Sequence, residues 1–399
     1  MFDHRPAGVA GASFPEGRGE PEGCPLSSPF LKGAGAEQRA RDAQQAWHPA
    51  RRPVVALLLP IVLLSALSLT IASCGDSDKE AAPSAAGTSL PVKKITFMAG
   101  FKAQANLPFV GVYVAQEKGY FKEQALDVDI RHAQSGEHLQ LLLAGDVQVT
   151  TANGAQVLQR NDQGLPIVAL ALIGQRSEQG YAVLETSNIR SVRDWDGKTF
   201  GYKGSVPAEF LAIAKANNLD PNRVKQVRVG FDPRILSEGQ VDILSVFFSN
   251  EPDTLQRLGF RTRVFDPNEF GIQSLGLTYV SSRDYVAKDP VALERFVKAT
   301  LRGLEYANQH RDEALDIVMK YAPQEERDHQ RFMLNTELER ALTESTRKNG
   351  IGWQTKEQWQ AFHDTLVEYK TLQKSLDVSA VFTDQFLRKA YKDGKLQWP

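Results

Sequence analysis

Between Pro166 and Gly174 the chain reads Ile-Val-Ala-Leu-Ala-Leu-Ile, an apolar run with no polar break. A half-exposed strand alternates and an amphipathic helix shows a polar face every turn, so an unbroken run of this length fits a strand covered on both faces. The segments before it alternate in type. Ile95–Ala99 is a strand-like run, and Val110, Val114 and Phe121 recur at helical spacing between Phe109 and Leu126. Asp127–Arg131 has the period of a strand, Leu139–Ala144 reads as a short buried helix stopped by Gly145, and Val147–Thr150 is a further strand. Strands separated by helices are expected to form parallel βαβ units.

A second series follows, with no internal repeat of fixed period. Ser191 and Asp194 have capping-box form and Gly197 ends the short helix they open. Strands are expected at Lys198–Tyr202, Val224–Val229, Val241–Phe248 and Arg261–Phe265, with helices at Pro207–Asn218 and Pro252–Leu258. The remainder reads as helical. Leu293, Phe296, Val297, Thr300, Leu301 and Leu304 keep the spacing of one helix face, Leu315, Val318, Met319 and Ala322 repeat it, and Thr355 with Gln358 caps a helix carrying Trp359, Phe362 and Leu366. The expected class is α/β, with two facing lobes built on parallel sheets and a helical C-terminal layer. Residues 93–186 would form the first part of lobe 1, 187–275 lobe 2, and 276–399 the rest of lobe 1 with the C-terminal helices.

The chain ahead of this body is of another kind. Val54–Ser73 carries no charge, follows Arg51 and Arg52, and precedes Cys74. A basic start, an apolar middle and a small-residue end make a secretory signal. A permanent anchor is the alternative, since about 20 apolar residues span a bilayer; Pro60 and the lack of a following basic cluster argue against it. Residues 1–50 are rich in Gly, Pro, Ala and Arg and are set aside with the signal as a removed segment, 1–73. Residues 74–92 read as a flexible tether of small polar residues.

Composition narrows function. With 47 basic against 48 acidic side chains the net charge is -1, which offers no basic face for nucleic acid. The 2 cysteines, Cys24 and Cys74, both precede the body and cannot build a disulfide framework there. No G-x-S-x-G, H-E-x-x-H or phosphate-binding loop occurs, and the histidines lack metal-ligand spacing, with His132 and His138 read as surface residues. No catalytic residue, metal or cofactor is expected.

Several motifs carry a resemblance. Ile71-Ala72-Ser73-Cys74 is similar to a lipobox, which implies cleavage before Cys74 and lipidation of its thiol. The run from Val114 through Lys118-Gly-Tyr-Phe121 to Val128, the segment Asp194-Trp-Asp-Gly-Lys-Thr-Phe-Gly-Tyr-Lys-Gly-Ser205, Leu141–Val147 and Ser249-Asn-Glu-Pro252 resemble the extracytoplasmic solute-binding proteins of ABC importers. The branch is the one holding sulfonate/nitrate-type and thiamine-pyrimidine-type binders. Ala125 stands where that family usually has Gly, and Trp195 where it has Leu. The resemblance implies a type II periplasmic binding protein, monomeric, held to the membrane by lipid on Cys74, handing its ligand to a permease and its ATPase.

Ligands of open α/β sheets lie beyond the carboxyl ends of strands. The loops there hold amides (Gln104, Asn106, Asn153, Gln175, Asn250), the hydroxyl of Ser205, aromatics (Phe101, Tyr202, Phe231, Phe247) and Glu251. Rings stack on a flat heterocycle and amides meet its heteroatoms, so a thiamine pyrimidine precursor or a riboflavin-like vitamin is expected, with a sulfonate or nitrate as runner-up. Plainer readings stand beside these. Phe247 and Phe248 alternate, so one belongs to the core; Asn153-Gly154 makes a turn; Tyr202–Ser205 caps a helix; Lys203 is solvated; Glu251 complements a helix dipole. A pyrimidine-synthase-like enzyme is the reading from another class, disfavoured because that family carries a cysteine cluster.

Overall fold

The computed structural model describes residues 90–399 apart from Ser135. The expectations for the signal, the lipidation of Cys74 and most of the tether concern residues outside the described ones. Among the described residues no helix is long and apolar enough to cross a membrane.

Two five-stranded sheets organise the body. The first has the order β2-β1-β3-β10-β4, from β1 (Lys93–Ala99), β2 (Leu126–His132), β3 (Val149–Asn153), β4 (Ile167–Leu172) and β10 (Leu277–Ser282). The second has the order β7-β6-β8-β5-β9, from β5 (Gln179–Leu184), β6 (Thr199–Tyr202), β7 (Lys225–Arg228), β8 (Ile243–Phe247) and β9 (Thr262–Phe265). All six residues of β4 are buried, as an unbroken apolar run requires.

The sheets are mixed where parallel ones are expected. β10 runs antiparallel to β3 and β4, and β5 antiparallel to β8 and β9. Each of these strands is the first after a crossing between the sheets, so it enters from the far end. β5 lies within the span read as lobe 1, yet its ladder is with the second sheet.

The helices used below are α1 (Leu107–Glu117), α2 (Gly154–Asp162), α3 (Ala208–Ala216), α4 (Glu251–Arg257), α5 (Pro290–Gln309), α6 (Arg327–Ala341) and α7 (Lys356–Glu368). The helix expected from Phe109 to Leu126 breaks at Gly119, whose φ of 76 ends α1 before a further short turn of helix. α5 buries its periodic face against α1 and the first sheet, where Phe296 stacks on Phe97 and Phe121 at 5.8 and 5.5 Å. The second sheet has its own core, in which Trp195 lies parallel to Phe210 at 5.4 Å and Tyr181 meets both edge-on.

Two segments join the halves, Gly174–Glu178 and Asp266–Gly276, and they run side by side. Gly276 N donates to Gly174 O and Gly174 N to Leu277 O, both at 2.8 Å. A Cβ on Gly174 would sit 2.9 Å from Gly276 Cα, so only glycine permits this approach. Arg340 on α6 clasps both segments, donating to Ser177 O from Nη2 at 2.6 Å and to Asp266 Oδ2 from Nη1 at 2.8 Å.

Candidate functional site

Between the two sheets, beside these crossings, lies a cavity of about 260 Å³. The first sheet contributes its strand ends: Phe101 after β1, Thr151 and Asn153 on β3, and Phe109 at the start of α1. The second contributes Phe231 after β7 and the end of β8, where Phe247, Ser249, Asn250 and Glu251 follow in sequence. Phe109 is fully buried at the floor, whereas Phe101 and Phe231 are 50% and 72% exposed at the rim. Aromatic rings left in water beside a cavity are what a stacking ligand would cover.

Eight of the residues singled out in the sequence line this cavity: Phe101, Gln104, Asn106, Asn153, Phe231, Phe247, Asn250 and Glu251. Several of their polar atoms are already committed. Asn106 Nδ2 donates to Glu337 at 2.6 Å and its Oδ1 accepts from Gln104. Asn153 Oδ1 accepts from Gln156 N at 2.8 Å and caps α2, so the turn reading and the cavity reading hold together. Ser205 lines a neighbouring cavity.

Gln175 and Tyr202 line neither cavity. Gln175 Nε2 donates to Leu172 O and Trp353 O at 2.6 and 2.7 Å, and its Oε1 accepts from Gln358, so its amide is consumed in tying the C-terminal layer to the first sheet. Tyr202 packs beside Phe200 against the core of the second sheet.

Lys203 is not solvated. Its side chain is 10% exposed, its ammonium pairs with Glu251 Oε1, and it lies 5.6 and 5.4 Å from the ring centres of Phe231 and Phe247. Glu251, 2% exposed, also accepts from Phe247 N at 2.7 Å. The carboxylate expected to meet an exocyclic amine is thus held by a lysine and a backbone amide.

Other carboxyls were not singled out in the sequence. Glu337, on α6, accepts from Leu107 N, from Asn106 Nδ2 and from Ser249 Oγ at 3.1 Å. Burial raises its pKa to about 7 against those hydrogen bonds. Glu178, on the first crossing segment, accepts from Leu277 N; burial, then the charge of Glu337, push it up to about 8, while Arg340 and the amide pull it down. His138, read as a surface residue, is 6% exposed and lines the cavity, with its pKa lowered by burial. A signal was available: Glu337 follows Met333 by four and Leu334 by three, which puts a carboxyl on the apolar face of a helix.

Contacts join the halves on either side of the cavity. His329 Nδ1 lies 2.6 Å from Asp253 Oδ2 and its Nε2 3.1 Å from Asn250 Oδ1, linking α6 to α4. Arg257 pairs with Glu326 nearby, and Lys215 on α3 with Glu368 on α7. Among the described residues no group of three or more His, Cys, Asp or Glu is arranged to hold a metal ion.

Two mixed α/β sheets, joined by two crossings with a cleft between them, define a periplasmic binding protein fold. Solved structures agree: a sulfonate-binding SsuA protein from Methylobacillus flagellatus KT superposes with a TM-score of 0.58 at 14% identity, covering 75% of this chain and 93% of that one. The chain belongs to the NMT1/THI5 like family, whose model matches residues 106–314. A riboflavin-binding protein of Chloroflexus aurantiacus, RibY, is 24% identical over 82% of this chain and 98% of its own length. A formylaminopyrimidine-binding protein of Halalkalibacterium halodurans is 26% identical over 77% of this chain and 90% of its own. A Candida albicans protein named 4-amino-5-hydroxymethyl-2-methylpyrimidine phosphate synthase matches a shorter stretch, 25% identical over 56% of this chain and 70% of its own.

Proposed function

We propose that the chain is the extracytoplasmic, lipid-anchored solute-binding protein of an ABC importer, and that it captures a small planar nitrogen heterocycle. The observation that carries this reading is the cavity between the sheets, where Phe101, Phe109, Phe231 and Phe247 surround a space edged by amides and carboxyls. Rings of this kind stack on a flat ligand while amides and glutamates meet its nitrogens and exocyclic groups. Closure of the halves about Gly174–Glu178 and Asp266–Gly276 would bury the ligand and present the closed surface to the permease. Cys74 would carry the lipid, and the protein would act as a monomer.

A thiamine pyrimidine precursor and a riboflavin-like vitamin are the first candidates, in keeping with the names of the relatives. Two further readings rank below them. Sulfonate binding is favoured by the likeness to SsuA in fold, but Lys203 is already paired. Synthesis of the pyrimidine is favoured by the relatives named as synthases, yet residues 90–399 contain no cysteine to form the cluster that such an enzyme would use. Calorimetric titration with riboflavin, with 4-amino-5-hydroxymethyl-2-methylpyrimidine and with an alkanesulfonate tests the reading. Saturable heat from a heterocycle, lost in Phe247→Ala, supports it. Heat from the sulfonate alone, or conversion of a bound ring into product, sinks it.

A further inference from the structure

A second cavity, of about 290 Å³, adjoins the aromatic one and shares Asn153, Gln156 and Glu178 with it. Its walls are of another chemistry. Beside the buried Phe362 it has Gln159, Gln179, Ser205 and Thr371, together with Glu209 in the first turn of α3. The two linings contain four glutamates, of which burial raises the pKa of Glu178, Glu209 and Glu337 while Glu251 is ion-paired. Their cationic side chains are limited to one lysine, Lys203, with no arginine. That lysine is committed to Glu251. Arg340 and Arg176 stand outside both linings, in a smaller pocket that shares Glu178 and Glu337 with the aromatic cavity, and Arg340 is paired with Asp266.

From this distribution we infer that the ligand has two parts, a flat ring in the aromatic cavity and an uncharged polar arm in the second, and that the cleft rejects the same molecule once the arm is phosphorylated. The inference rests on the heterocycle reading above and adds the charge and shape of what that cleft takes.

The physical case is one of compensation. A phosphate ester brings a charge of about −1.5 to −2 near neutral pH. The start of a nine-residue helix such as α3 ordinarily welcomes an anion. Here Glu209 already occupies that first turn, and burial raises its pKa, so an arriving phosphate meets an acid where it would seek a cation. Lys203 cannot turn to the phosphate without leaving Glu251 buried and unpaired. Hydroxyl groups face no such conflict, because each donates to a carboxylate or amide oxygen and accepts from an amide nitrogen.

Three flavins separate ring, arm and charge: lumichrome has the ring alone, riboflavin adds a hydroxylated arm, and flavin mononucleotide phosphorylates it. 4-Amino-5-hydroxymethyl-2-methylpyrimidine and its phosphate make a matching pair. Calorimetric titration of the protein with all five is expected to give riboflavin about tenfold tighter binding than either other flavin, and the free pyrimidine about tenfold tighter binding than its phosphate. Glu209→Lys is expected to narrow both phosphate gaps. Binding of a phosphate ester as tight as that of its free partner, or of lumichrome as tight as that of riboflavin, overturns the two-part inference and leaves the heterocycle reading standing. If none of the five binds, the heterocycle reading fails and this inference with it.

Discussion

Glu337 Oε1 accepts a hydrogen bond from Ser249 Oγ at 3.1 Å, a single contact that ties helix α6 of the C-terminal layer to the end of β8 in the second sheet. The same carboxyl receives Leu107 N and Asn106 Nδ2 from the first sheet's side, so one acid holds three segments around the cavity. Glu178 stands near enough for the charge of Glu337 to raise its pKa. The wall of the cleft therefore contains two acids that titrate close to neutrality.

The first prediction concerns pH. Both acids have folded-state values above the ordinary 4.5, at about 7 for Glu337 and about 8 for Glu178. A raised acid favours the folded state most below its unfolded pKa, and that contribution is lost as pH rises through the folded value. Between about pH 5 and pH 9 the unfolding temperature of the ligand-free protein is expected to fall, and Glu178→Gln to flatten the fall. Thermal unfolding followed by circular dichroism across that range measures it; an unchanged slope in the variant contradicts the assignment.

The buried pair Lys203–Glu251 supports a second. Removing one partner of such a pair leaves a charge without compensation, which costs about 3 kcal/mol or more, whereas removing both costs far less. Lys203→Met is expected to destabilise by about that amount and Lys203→Met/Glu251→Gln to recover most of it. Urea unfolding of the two single variants and the double variant closes the cycle. Additive losses would mean the two side chains do not act as a pair.

His329 reaches across the cleft to Asp253 and Asn250, and all its contacts of this kind are between halves. If the halves part when ligand leaves, the contact belongs to the closed form, and a hydrogen bond to a charged group contributes about 1.5 to 3 kcal/mol. His329→Ala should weaken ligand binding about tenfold, mainly through faster release. Lys215→Ala, which removes an exposed interlobe pair that does not touch His329 or its partners, should change it little. Stopped-flow release rates discriminate, and equal effects from the two would argue against a latch at His329.

Much of the fold was legible because its signals are local. The run at β4, the caps at Ser191 and Thr355, and the stripe on α5 each announce themselves within one element. Within the two five-stranded sheets, the strands that the sequence did not announce are β5 and β10, and both follow crossings. In β10 the apolar pattern is interrupted by Thr278 and Ser281, fully buried because their hydroxyls donate to Ala171 O and Gln148 O at 2.6 and 2.7 Å. Those partners lie far away in sequence, so no window of neighbouring residues reveals them. Helix α6 was hidden by its charge, and with it went His329, Glu337 and Arg340. The site was legible to the extent that strand-end loops could be named. What each amide was already bonded to could not be read from spacing, and Gln175 and Lys203 show the difference in opposite directions.

The final prediction comes from a residue at odds with its backbone. Ala125 has a φ of 50, in the left-handed region, where it ends the short turn of helix before β2 and its carbonyl accepts from Lys93 N at 3.0 Å. A Cβ in that conformation crowds the following carbonyl at a cost of roughly 1–2 kcal/mol, while glycine there brings only the extra chain entropy of the unfolded state, about 0.5–1 kcal/mol. The difference favours glycine, the residue that the resembling family usually carries at this position. Ala125→Gly is therefore expected to stabilise the protein by up to about 1 kcal/mol, with ligand affinity unchanged because the turn is remote from the cavity lining. Urea midpoints of the two proteins measure this directly; a lower midpoint for the glycine variant would mean that the Ala125 methyl group contributes packing that outweighs its strain.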